Sequence, residues 1–142
     1  MEHDAPALRD AVRLELDVPS TAPVGLPVSI TLRVENLRDH PIELTLRGRT
    51  IAFDVIVRRA DGTVAWQRLG GGMIPAILRL EPLAARAVLE LRTLWDPSLT
   101  DARPVAGEFM VEAVLFTDGP DLRPPPARLR VIPGKAANDG TA

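Results

Sequence analysis

The chain has 142 residues, 17 basic and 19 acidic side chains for a formal net charge of -2, and no cysteine. This length points to one domain, and the charge balance gives no electrostatic reason to expect a nucleic-acid backbone or an anionic membrane surface as partner. Without cysteine there are no disulfides, thiolate metal sites or cysteine nucleophiles, and the 14 prolines, spread from Pro6 to Pro133, leave no room for a helical bundle.

Residues 1–10 read as an N-terminal tail. The opening MEHDAPALRDAVRLELDV lacks the basic region and the uninterrupted apolar run of a signal peptide. No stretch approaches the roughly 18 apolar residues of a membrane span. A cytoplasmic chain is expected, and a mature secreted form with its signal removed would read the same. From Val12 onward the pattern has period two. Val12, Leu14, Leu16 and Val18 alternate with Arg13, Glu15 and Asp17, which is a strand with one apolar face. Pro19 to Pro27 is a turn or loop. Val28, Ile30, Leu32 and Val34 form the apolar side of a second strand, Asn36 to Pro41 a connecting loop, and Ile42, Leu44 and Leu46 a third strand. Phe53, Val55 and Val57 belong to a fourth, which Ala60-Asp61-Gly62 turns into its partner, Thr63 to Arg68, because glycine accepts the positive φ of a tight hairpin. Gly70-Gly71-Gly72 breaks regular structure, and Met73 to Leu80 reads as a short strand interrupted by Pro75. Leu89 and Leu91 lie on a strand that runs to Trp95; Ala84 to Leu94 also has helix-forming composition, but the alternation decides for strand. Pro97 to Ala106 is a loop. Phe109, Val111, Ala113 and Leu115 mark a central strand, Asp118 to Pro126 an extended loop, and Leu129 and Val131 the last strand.

Eight or nine short strands separated by turns predict an all-β chain, an antiparallel β-sandwich over residues 11–133, with a closed barrel as the alternative and 134–142 as a disordered polar tail. Little here carries chemistry. His40, within Arg38-Asp39-His40-Pro41, reads as part of a solvated turn, and no serine sits where a nucleophile would need it. Asp118 and Asp121 are too few for a calcium loop. The glycine triplet is followed by no helix, and the only lysine is Lys135, so it is not a phosphate loop. No cofactor or metal is implied, and the chain reads as a non-enzyme. Trp66 and Trp95 are either core or sheet-edge side chains or exposed anchors for a protein partner. Arg47, Arg49, Arg58 and Arg59 read as solvated strand faces without the aromatics of a nucleic-acid platform.

Four segments in order resemble the bacterial intracellular proteinase inhibitor family of the BsuPI type: VSITLRVENLRDHPIELTL (Val28 to Leu46), FDVIVRRADGTVAWQR (Phe53 to Arg68), Leu80-Glu81-Pro82 with the strand ending in Trp95, and VAGEFMVEAVLF (Val105 to Phe116). The chain departs from the family pattern in having Pro82-Leu83-Ala84 where Pro-Gly-Glu is usual, and Phe109 where tyrosine is usual. The resemblance implies an immunoglobulin-like sandwich that inhibits a cytoplasmic subtilisin-like serine protease, or a non-catalytic immunoglobulin-like interaction module without inhibitory activity. It carries over no reactive residues. Three loops have the length to enter a protease cleft: Gly70 to Pro75, Asp96 to Ala106 and Asp118 to Pro126. Subtilisin-like clefts generally accept large apolar side chains, so the expected partner contact is Gly70, Gly71, Gly72, Met73 and Ile74; the alternative is that Met73 and Ile74 fold back on the sandwich edge.

Overall fold

The computed structural model describes residues 8–48, 52–70, 76–97 and 106–133. A one-turn helix, α1 (Leu8–Ala11), runs into β1 (Val12–Asp17). There follow β2 (Thr21–Pro23), β3 (Val28–Asn36), β4 (Ile42–Arg47), β5 (Phe53–Arg59), β6 (Val64–Gln67), β7 (Leu78–Leu83), β8 (Val88–Trp95), β9 (Gly107–Leu115) and β10 (Ala127–Ile132). One sheet has the order β1-β3-β8, the second β2-β10-β9-β5-β6, and β4 and β7 form a two-stranded ribbon. All pairs are antiparallel except β2 with β10, which is parallel. The first sheet holds the places of strands A, B and E of an immunoglobulin sandwich, and β10-β9-β5 those of G, F and C. The chain is an immunoglobulin-like antiparallel β-sandwich.

The alternation read from the sequence becomes the core. Ile30, Leu32 and Val34 of β3 and Val55 and Val57 of β5 are buried, together with Phe109, Val111, Ala113 and Leu115 of β9. Leu14, Leu16, Leu89 and Leu91, on the two outer strands of the first sheet, pack on the same core but are only partly covered. Trp95 is buried, with its ring 5.3 Å from Phe109 in an edge-on arrangement and 6.5 Å from the half-buried Trp66. This makes Trp95 a core side chain and not an exposed anchor.

Three segments depart from the sequence reading. Within the expected loop Pro19 to Pro27, Thr21–Pro23 adds a strand alongside β10. Three residues ending in proline are too short to show a period, and an edge position tolerates the proline. The strand expected over Met73 to Leu80 is β7, Leu78–Leu83, which runs through Pro82 and pairs with β4 (Ile42↔Leu83, Leu46↔Arg79). An edge strand lets a proline turn its missing donor away from the ladder. Asn36, expected in a loop, ends β3 and is fully buried. Its Nδ2 donates to the carbonyls of His40 (3.0 Å), Leu83 (3.2 Å) and Ala84 (2.9 Å), and its Oδ1 accepts from the Arg38 amide (2.8 Å). One side chain thus ties the β3–β4 loop to the turn between β7 and β8.

Candidate functional site

The expected contact loop leaves the sandwich at the end of the β5–β6 hairpin. That hairpin closes through Gly62 (φ 90°) and through Asp61, whose carboxylate accepts from the Thr63 hydroxyl (2.6 Å) and amide (2.9 Å). The Thr63 hydroxyl, then its amide, hold the Asp61 carboxyl below its usual range. Beyond β6 the chain is pinned by a buried carboxylate. Asp54 Oδ1 accepts from the Leu69 amide (2.9 Å) and from the Val55 amide (2.9 Å), and Oδ2 accepts from Gln67 Nε2 (2.6 Å). Alternation puts Asp54 on the face away from Val55 and Val57, yet it is buried because this exit folds over it. Arg68 adds a second clamp. Its Nη1 donates to the Phe53 carbonyl (2.7 Å), and its guanidinium lies 4.1 Å from the Phe53 ring centroid. Burial pushes the Arg68 guanidinium below its ordinary value, against the opposing pull of the Asp54 carboxylate.

Gly70 follows, exposed and with φ 64°, a left-handed conformation that glycine adopts without strain. Of the expected contact residues, Gly70 is therefore placed at the mouth of the loop, whereas Gly71, Gly72, Met73 and Ile74 lie outside the described residues. On the far side the Gly48 amide donates to the Ile77 carbonyl (2.7 Å), so the returning chain is held as well. Ile77, Leu78 and Leu80 are then 46%, 50% and 58% exposed. In the β4–β7 ladder Leu78 and Leu80 share a face with Arg47 and Thr45, while Arg79 and Glu81 share the opposite face with the buried Leu46 and Leu44. Arg79 and Glu81 pair with each other at 2.9 Å. The ribbon thus turns leucines to solvent and charges inward. Sequence reading missed this stripe because alternation by itself does not say which face is wet.

The other residues weighed from sequence do not assemble into a reactive group. His40 is exposed, with Nδ1 3.2 Å from the Pro41 carbonyl. Asp121 accepts from Arg47 Nη2 (2.9 Å), and Arg58 pairs with Glu112 (3.1 Å). Among the described residues no three His, Asp or Glu side chains gather as metal ligands. A shallow cleft of about 390 Å³ lies between Arg59, Ala60, Glu108, Phe109, Met110 and Arg128. Arg59 donates there to Thr63 Oγ1 (3.3 Å) and the Val64 carbonyl (2.8 Å), and Glu108 pairs with Arg130 (3.0 Å).

No family model and no curated protein matches the chain. Among solved structures it is similar to part of the alkylpurine DNA glycosylase AlkC of Pseudomonas fluorescens bound to DNA containing an abasic site analogue, at 16% identity over 86% of this chain and 30% of that one, with a TM-score of 0.47. It is also similar to the CARDB domain of a Pyrococcus furiosus protein in complex with two metal ions, at 15% identity over 85% of this chain and 87% of that one, TM-score 0.47. A β-glucosidase of Listeria innocua in complex with glucose matches at 11% identity over 85% of this chain and 16% of the enzyme, TM-score 0.46.

Proposed function

We propose that this chain is a non-catalytic protein-binding domain of the proteinase-inhibitor type, which acts on a cytoplasmic subtilisin-like serine protease through the end of the molecule where β6 leaves and β7 returns. The observation that carries this reading is the exposed stripe Ile77, Leu78 and Leu80, which directly follows a loop held at both ends by Asp54, Arg68 and Gly48. Fixed loop ends lower the ordering cost of binding, and adjoining apolar side chains supply area that leaves water on contact. The partner class comes from the resemblance in Val28 to Leu46 and Phe53 to Arg68. The test is titration of a purified subtilisin-like protease with the native chain, with Met73→Asp, and with Leu78→Asp/Leu80→Asp. Inhibition by the native chain that both variants lose supports the reading. Binding without inhibition leaves a non-inhibitory interaction module, and no binding removes the protease as partner.

A further inference from the structure

Among the described residues, β8 is paired on one side only between Val88 and Leu94. In the order β1-β3-β8 no described strand lies beside Val88 to Leu94 on the side away from β3, because the preceding strand, β7, pairs with β4 instead. Among the described residues, no backbone group outside β3 hydrogen-bonds to β8 between Val88 and Leu94. Several other edges carry protection of the usual kinds. The β2 strand has three residues, and β6 has four and pairs with β5 across a register shift at Val57/Arg58. Pro82 and two inward charges interrupt β7. The outer face of β1 is wholly charged, with Arg13, Glu15 and Asp17. In contrast, the outer face of β8 reads Val88, Glu90, Arg92, Leu94, with Val88 39% and Leu94 63% exposed.

That order is self-complementary. In an antiparallel pairing of two such strands about a two-fold axis at Leu91, Val88 faces the partner's Leu94 and Glu90 faces the partner's Arg92. Moving the register by two residues sets Glu90 against Glu90 in one direction and Arg92 against Arg92 in the other, and like charges directly opposite are destabilising. Moving it by one sets outward residues against inward ones. The charges of the sheet continue the pattern. Glu15, Arg33 and Glu90 lie in one cross-strand row, with Arg33 4.0 Å from Glu15 and ion-paired to Glu90. The partner's Arg92 is the next member of alternating sign. On the inner face Leu89 and Leu91, only partly covered within one chain, meet the second strand.

We infer that the edge of β8 away from β3 takes a second copy of this chain, β8 against β8 about Leu91, joining two three-stranded sheets into one through an isologous contact. The inference is independent of the proposed protease contact, which uses β7. Sedimentation and light scattering test it on the native chain, Arg92→Glu, Glu90→Arg, the double exchange Glu90→Arg/Arg92→Glu, and an equimolar mixture of the two single variants, with circular dichroism confirming that each is folded. The native chain should form a dimer. Each single variant, with two like-charge contacts, should dissociate at least about tenfold more readily. The mixture and the double exchange, in which opposite charges face again, should recover the dimer. A native chain that stays monomeric at high micromolar concentration overturns the inference. So do single variants that dimerise as well as the native chain, or a mixture of folded single variants that remains monomeric.

Discussion

The strands β7 and β8 follow one another across the turn at 84–87 and both alternate apolar with charged residues, yet they face opposite ways. Leu89, Leu91 and Trp95 of β8 turn to the core, with Glu90 and Arg92 outside. Arg79 and Glu81 of β7 share a face with the buried Leu44 and Leu46, and Leu78 and Leu80 are left to solvent. The difference comes from what each strand pairs with. The β8 ladder with β3 sets Leu89 opposite Val34 and Leu91 opposite Leu32, so the hydrophobic faces coincide. The β7 ladder with β4 sets Arg79 opposite Leu46 and Glu81 opposite Leu44, and the charges there satisfy each other. Alternation identifies a strand, and only its partner decides which side is wet.

The largest test of this contrast is truncation on each strand. Trp95→Ala on β8 removes one of the largest fully buried side chains, and a loss of about 3–5 kcal/mol in unfolding free energy is expected by denaturant titration. Leu80→Ala on β7 should change it by less than about 0.5 kcal/mol, since little is withdrawn from solvent. Similar costs at the two positions would mean that β7 packs with its leucines inward.

The joint between the two strands gives the next effect. Asn36 binds the carbonyls of Leu83 and Ala84, where β7 ends, and its own amide donates to the Ala87 carbonyl (2.9 Å), where β8 is about to begin. Replacing Asn36 by alanine keeps the backbone bond to Ala87 but leaves the Arg38 amide and the His40, Leu83 and Ala84 carbonyls without the side-chain partner they have at a buried site. The expected cost is about 2–3 kcal/mol. Faster amide exchange should appear in β4 and β7, while the β3–β8 ladder keeps its protection. A uniform loss across both would show that the ribbon and the sandwich unfold as one unit.

Legibility in the sequence follows the same division. In β3, β5 and β9 the apolar side that meets the facing sheet repeats with a period of two, and Ile30, Val55 and Val111 sit where that period puts them. Asn36 looked like loop material because asparagine usually serves turns, and nothing local to it signals three carbonyls arriving from loops on both sides. Asp54 looked like an outward residue because its burial comes from the chain beyond β6 folding back. Both are effects of distant segments, and so was the outward stripe of β7. Of the expected contact residues, the glycines signalled the break after β6. The neighbouring surface at Leu78 and Leu80 was hidden by the orientation of its strand.

The smallest effect expected lies in the turn that separates the two strands. Arg86 has φ 62°, and among the described residues it is the one non-glycine residue with positive φ. Its amide donates to the Arg38 carbonyl (3.2 Å), and the Ala87 amide donates to the Ala84 carbonyl (3.0 Å), so the turn is held in this conformation by hydrogen bonds to the β3–β4 loop and within itself. A left-handed backbone costs a residue with a Cβ about 1 kcal/mol or slightly more. Glycine removes that cost and adds back about 0.5 kcal/mol or more through the greater freedom of the unfolded chain. Arg86→Gly should therefore raise stability by up to about 0.5 kcal/mol, and Arg86→Ala, which keeps the Cβ, should not. Denaturation midpoints for the pair isolate the backbone term from the loss of the exposed guanidinium. A glycine variant less stable than the alanine variant would mean that the turn does not need its left-handed residue, and that Asn36 alone directs β7 away from β8.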